Sequence, residues 1–327
     1  MINDRIELYK RIESERNSKL IVYVTGTRQG LETQIGEDIL PLFTEHLDKI
    51  GDVDKISLYL YTNGGHTSVA WSLVNLIRSF CKKFEIIIPE KCFSTGTLIC
   101  LGADSIVMTK QASLGPIDPS VNGPLNPAIP GIPDPNVKVP VSVEHVNAYI
   151  EMAKNELGIR DKHLLTDIFL KLSEMIHPIT LGQVYKSKAQ IKMFAKNLLK
   201  LHDFDGKEDD VVKFLCSESG SHDYSIRRKE ASALRLPIEK PNDNLYRIIK
   251  ATFDDISKEL ELNTPYQPVI MVANRQSCPY KFRRGLIESI HNGTDVYSSD
   301  GEIIKHPDGK ITDNRLREGW VHEGLTN

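Results

Sequence analysis

An α/β fold with a largely parallel sheet is predicted by two features of the sequence. From about residue 18 to residue 120, apolar runs of strand length alternate with segments of helical spacing. Two of the junctions between them carry glycine beside small polar residues, as a strand-to-helix turn requires.

The elements follow in order. Leu20-Ile21-Val22-Tyr23-Val24 reads as a strand. Residues 37–50 have helical spacing, with Ile39, Leu40, Leu42, Phe43 and Leu47 on one side. A strand over Ile56–Leu60 and a helix over about 67–80, carrying Val69, Trp71, Leu73, Val74 and Ile77, come next. The strand Ile86–Ile88, a helix opening near Ser94 and the strand Ser105–Met108 complete the series. Residues 115–140 then hold eight of the seventeen prolines, and a loop of that length and composition lines a site, forms a lid or makes an oligomer contact. Residues 141–204 read as mostly helical with a break at His177-Pro178, and residues 242–262 as one more helix. Beyond Pro265, Pro268–Val272 is expected as a strand, and Asp300-Gly301 and Asp308-Gly309 as turns of a β-rich tail. The expected organisation is a main domain over 1–262 and a C-terminal β-rich appendage over 263–327.

Composition narrows the function. A net charge of −3 without a basic stripe interleaved with aromatics gives no sign of nucleic-acid binding. The five cysteines, Cys81, Cys92, Cys100, Cys216 and Cys278, lack framework spacing and fit reduced thiols. No CxxC pair, HExxH or GxGxxG is present, and the histidines lack metal-ligand spacing, so neither a metal nor another cofactor is expected. No apolar run reaches the roughly 20 residues of a membrane helix, and the charged first twenty residues lack a signal-peptide core. A soluble, cytoplasmic protein without membrane insertion is the expectation.

The chemistry concentrates in Cys92-Phe93-Ser94-Thr95-Gly96-Thr97. A serine between a strand and a helix, followed by glycine, presents its hydroxyl where free backbone N–H groups can hold a developing oxyanion. Upstream, Thr62-Asn63-Gly64-Gly65-His66 joins another strand to another helix and can aim a second N–H at the same place. Ser94 as nucleophile, with an oxyanion hole from Thr95 and Gly64 or Gly65, is the functional reading; Ser94 as a plain N-cap is the alternative.

Ser94 to Thr97, then Ala103-Asp104-Ser105-Ile106-Val107-Met108 and Leu114-Gly115-Pro116-Ile117-Asp118-Pro119, resemble the serine dehydrogenase proteinase family. That family is related to signal peptide peptidase A and, more remotely, to the Clp protease proteolytic subunit. Asn63-Gly64-Gly65 resembles its (T/S)PGG element, with Asn63 where proline is usual. Ser221-His222-Asp223-Tyr224-Ser225-Ile226 followed by Glu230-Ala231 resembles its HDYPI…EA element. The ordered match spans roughly residues 18–240. It implies a ClpP/crotonase fold, a spiral of βα units that commonly oligomerises, and hydrolysis of peptide or protein substrates through Ser94. Thr95 stands where related proteins tend to have Gly, Ala or Met.

A serine needs a partner to take its proton. The Clp-type histidine position falls in 114–119, which holds no histidine. The sequence offers His177, Lys186, and His222 with Asp223, and Asp223 matches the Clp-type aspartate. A lysine serves only if burial lowers its pKa, whereas a histidine needs little tuning. The bland readings are a helix cap for His177, a solvated face for Lys186 and a turn for His222-Asp223. A catalytically silent scaffold or peptide-binding member of the fold is the alternative function. An acyl-CoA-processing relative, with the same oxyanion geometry and no serine nucleophile, is a third.

Overall fold

The computed structural model describes residues 2–118, 120–132, 134, 136–204, 207–218 and 224–324. The expected βα series is present: helix α1 (Ile2–Arg16), strand β1 (Lys19–Thr25), α2 (Ile39–Ile50), β2 (Val53–Tyr61), α3 (Thr67–Arg78), β3 (Cys81–Ile88), β4 (Lys91–Cys92), α4 (Thr95–Cys100), β5 (Ser105–Met108) and β6 (Ser113–Leu114). The chain divides into two compact units. One comprises residues 1–115, 198–206 and 225–327; the other comprises 116–197 and 207–224.

The second unit holds β7 (Ser120–Val121), β8 (Val141–Ser142), α5 (Val143–Asn155), α6 (Lys162–Met175), most of α7 (Pro178–Leu199), α8 (Glu208–Lys213) and a π-helix over Phe214–Glu218. β7 and β8 pair across the proline-rich loop, which Asn126 ties together by donating from Nδ2 to the carbonyls of Val121 (2.7 Å) and Val139 (2.9 Å). Ser142 caps α5 and Asp161 caps α6, each accepting first-turn N–H groups. The helical break falls where His177-Pro178 predicts it, and proline opens α7.

The first unit continues with β9 (Ile226–Arg227), α9 (Arg228–Ala233), β10 (Ile238–Glu239), α10 (Asp243–Glu259), α11 (Pro268–Met271), β11 (Ser277–Ser289), β12 (Gly293–Lys305) and β13 (Ile311–Glu323). Its eight-stranded sheet runs β10-β5-β3-β2-β1-β11-β12-β13. The five strands from β10 to β1 are parallel, and the last three are antiparallel. The C-terminal strands therefore extend the main sheet: β11 pairs with β1 from Val22↔Glu288 to Thr25↔Gly285. A smaller sheet, β4-β6-β9, carries the approach to Ser94.

Alternate residues of the main sheet face opposite layers. Val22, Val24, Tyr59, Tyr61, Ile87 and Val107 form one core with α1 and with the stripe Leu245, Ile248, Ile249, Phe253 and Ile256 of α10. On the other face Tyr23 meets Phe43 of α2 edge-on, with ring centres 5.6 Å apart.

Two local expectations are corrected. Pro268–Val272 starts a helical turn rather than a strand, with proline at its first position. Asp300-Gly301 is no turn but lies within β12, where the register to β13 shifts; a Cβ on Gly301 would sit 2.6 Å from both the Asn314 carbonyl oxygen and the Tyr280 hydroxyl. The Asp308-Gly309 turn is present between β12 and β13, with Gly309 at φ 84°.

Candidate active site

Ser94 sits where β4 turns into α4. The Gly96 N–H donates to the Phe93 carbonyl at 2.9 Å, closing a four-residue turn in which Ser94 takes φ 52° and ψ −112°. These angles belong to the second residue of a type II′ turn, a place that favours glycine. A serine held there stores strain, a feature that gathers at reactive positions. The plain N-cap reading fails, because the Ser94 side chain makes no capping bond. Ser94 is 9% exposed, and its hydroxyl has no hydrogen-bond partner among the described residues.

The surroundings hold the turn in place. Phe93 N–H donates to Thr62 O (3.0 Å) and Thr62 N–H to Lys91 O (3.2 Å), joining the end of β2 to β4. Gly96 is required by close packing, since a Cβ there would lie 2.5 Å from Thr62 Cγ2 and 2.6 Å from Cys92 Sγ. The buried Thr97 hydroxyl lies 2.7 Å from the Gly115 carbonyl and accepts the Gly115 N–H at 3.2 Å. Cys92 of β4 and Cys100 of α4 are buried free thiols 3.7 Å apart, and all five cysteines are unbridged.

The glycine turn lies directly against Ser94. A Cβ on Gly64 would come within 2.8 Å of Ser94 Cβ and 3.2 Å of its Oγ, and Gly64 has φ 113°. The two glycines differ in what they can offer. The Gly64 N–H is already donated to Thr62 Oγ1 at 2.9 Å. Gly65 forms a bridge with Ile35, in which Ile35 N–H donates to Gly64 O (2.9 Å) and His66 N–H to Ile35 O (2.8 Å). That pattern turns the N–H and C=O of Gly65 itself away from Ile35. Its carbonyl accepts the Thr95 hydroxyl at 2.6 Å. The N–H groups of Gly65 and Thr95 have no acceptor among the described residues. The structure thus brings Ser94, Thr95, Gly64 and Gly65 together, with two unspent donors beside one unspent hydroxyl.

His177 and Lys186 belong to the second unit and are both exposed. His177 Nδ1 accepts the Ile179 N–H at 3.2 Å, capping α7. His222 and Asp223 fall outside the described residues.

Two lysines were not nominated by the sequence. Lys91 is half-buried, and burial lowers its pKa. Its ammonium lies 5.3 Å from the Tyr61 ring centre, on the face of β2 opposite Thr62, whereas Thr62 packs toward Gly96. Lys138 of the second unit is half-buried in a cleft of about 490 Å³ lined by Asn122, Asn126 and Asn136, without a carboxylate partner among the described residues. Its position within a proline-rich loop was the only signal available in the sequence.

Comparison with known proteins agrees with the sequence resemblance. Residues 1–132 match the family model of ClpP-like SDH-type serine proteinases. Two proteins of Methanocaldococcus jannaschii are similar over most of their length. Uncharacterized protein MJ0137 is 28% identical over 72% of this chain and 73% of its own, and uncharacterized protein MJ1495 is 24% identical over 72% of each. Among solved structures, the 1510-N membrane-bound stomatin-specific protease aligns over 74% of this chain and 86% of its own, at 16% identity and a TM-score of 0.38. ClpP1 from Listeria monocytogenes aligns over 72% and 97%, at 11% identity and a TM-score of 0.37. The family match makes serine peptidase the activity class supported for the segment that contains Ser94. Among the described residues no helix is long and apolar enough to cross a membrane.

Proposed function

We propose, with the match to ClpP-like SDH-type serine proteinases as the premise, that this chain hydrolyses peptide bonds through an acyl-enzyme on Ser94. The observation that carries the reading is the strained, uncapped Ser94 beside the unspent N–H groups of Gly65 and Thr95. Ser94 Oγ attacks the carbonyl carbon of a peptide bond as its proton passes to a base. The tetrahedral oxyanion is held by the Gly65 and Thr95 N–H groups. Its collapse breaks the C–N bond, the amine leaves with the proton from the base, and water hydrolyses the ester by the same sequence.

For the base we propose the candidates the sequence offers, His177, Lys186 and His222 with Asp223. The test is hydrolysis of a mixed fluorogenic peptide library across pH by wild type, His177→Gln, Lys186→Met and His222→Gln. The variant that removes the base is expected to lose activity by at least about 10²-fold, the usual worth of general-base catalysis, and the other two to keep it. Full activity in all three contradicts these candidates. A protein that folds and binds peptides without cleaving them returns the scaffold reading.

Thr95 has a role besides its N–H. Its hydroxyl fixes the Gly65 peptide, so Thr95→Val leaves both donors but loosens one. Losing one net hydrogen bond of about 1 to 1.5 kcal/mol should slow acylation about tenfold. Thr95→Ser should restore the rate. A full rate in Thr95→Val contradicts the oxyanion assignment. Assembly into a homo-oligomer is proposed as well: α6 buries no residue within its unit, and Leu164, Phe169 and Met175 are exposed along it.

A further inference from the structure

We infer that Arg284, on the C-terminal strand β11, is a positioning residue for the oxyanion turn; the inference rests on the peptidase reading above. Arg284 is 7% exposed, and its guanidinium reaches the loop that follows β1. Nε donates to the Leu31 carbonyl at 2.9 Å and Nη2 to the Glu32 carbonyl at 2.7 Å, while Nη1 is anchored by Glu318 of β13 at 2.6 Å. The Arg284 backbone joins the same contact, since its carbonyl accepts the Thr33 hydroxyl at 3.2 Å. Thr33 Oγ1 in turn accepts the Gly26 N–H at 2.7 Å, and Thr33 N–H donates to Gly26 O at 3.0 Å.

Two residues further on, Ile35 exchanges both of its backbone hydrogen bonds with Gly64 and His66, the residues flanking the Gly65 donor. Residues 31–35 are therefore fastened on one side to β11 and on the other to the glycine turn. Neither fastening leaves slack at its glycine. A Cβ on Gly26 would lie 2.0 Å from Arg284 O, and one on Gly65 would lie 2.2 Å from Ile35 O. The direction of the Gly65 N–H is set by the Ile35 segment, and that segment is held by Arg284. This assigns the C-terminal strands work at the active site, although they lie outside the stretch matched by the family model. Arg284 acts through the loop and touches no reacting atom.

The test compares wild type with Arg284→Met and Arg284→Lys by hydrogen–deuterium exchange and by the rate of fluorophosphonate acylation of Ser94. In Arg284→Met the amides of Ile35 and His66 should exchange about tenfold faster or more, because the loop opens without its two anchoring bonds. The limiting acylation rate should fall about tenfold, while the probe concentration at half-saturation stays unchanged, as expected when transition-state stabilisation alone is lost. Arg284→Lys, able to reach one carbonyl, should recover part of both. Should Arg284→Met fail to fold, Thr33→Val removes the hydroxyl contact from the same fastening and should shift both readouts in the same direction. Unchanged exchange in a folded variant overturns the inference, and so does faster exchange with an unchanged acylation rate. A wild-type protein that takes no label on Ser94 overturns the peptidase reading instead, and the exchange data then show whether the fastening exists without it.

Discussion

Ser94→Gly should give a protein that is inactive and more stable than wild type. At φ 52° and ψ −112°, a serine sits where glycine belongs, and Gly96 N–H to Phe93 O locks the turn. Such strain costs roughly 1–3 kcal/mol in a folded protein. Glycine relieves it, at a cost of about 0.5–1 kcal/mol in lost chain entropy on folding. The net gain is about 1 kcal/mol, readable as a raised midpoint in denaturant unfolding. Ser94→Ala removes the same hydroxyl without relaxing the backbone, so it should be as inactive and about as stable as wild type. The difference between the two variants separates stored strain from chemistry. A Ser94→Gly protein less stable than Ser94→Ala contradicts the strained turn.

Arg5→Met should destabilise the fold more than any active-site change. Arg5 of α1 is fully buried, and so is Glu288 of β11, to which it donates from Nε (3.1 Å) and Nη2 (2.5 Å). Its Nη1 also meets Asp255 and Glu259 of α10, each at 2.6 Å. Removing the cation that joins these three carboxylates leaves Glu288 in the core with the Tyr9 and Thr294 hydroxyls as its remaining side-chain partners among the described residues. Breaking a buried pair in this way costs about 3–5 kcal/mol. The loss should shrink in acid. Burial pushes the Glu259 carboxyl up, but attraction and hydrogen bonding from Arg5 outweigh it and hold the group below the ordinary carboxylate range. A depressed carboxyl contributes stability that is complete above its unfolded pKa and lost as pH falls through the lower folded value. Denaturant unfolding of both proteins at neutral and acid pH checks this. A loss below about 1 kcal/mol at neutral pH contradicts the account of the network as a buried pair.

The same cluster shows why α1 was invisible in the sequence. Its buried stripe is Ile2, Arg5, Tyr9 and Ile12, at helical spacing, but with an arginine where pattern recognition looks for an apolar residue. The βα series was legible because β1, β2, β3 and β5 each contain an apolar run, and α2 and α3 carry clean stripes. At the site, the serine and glycine turns could be read from local sequence, because both occur at strand-to-helix junctions. The commitment of the Gly64 N–H to Thr62 could not, because it depends on how residues 62–65 turn back. Arg284 could not either, since it acts on residues some 250 positions away. His177 was legible in its bland reading: a histidine before a proline that caps a helix.

The most direct test of the central claim is labelling of the wild-type protein with a fluorophosphonate probe, followed by mass spectrometry of the adduct. A phosphonyl adduct on Ser94, absent in a folded Ser94→Ala protein, is the predicted result, because the hydroxyl makes no capping bond and the N–H groups of Gly65 and Thr95 have no acceptor among the described residues. No adduct on Ser94, or an adduct on another serine that persists in Ser94→Ala, contradicts it.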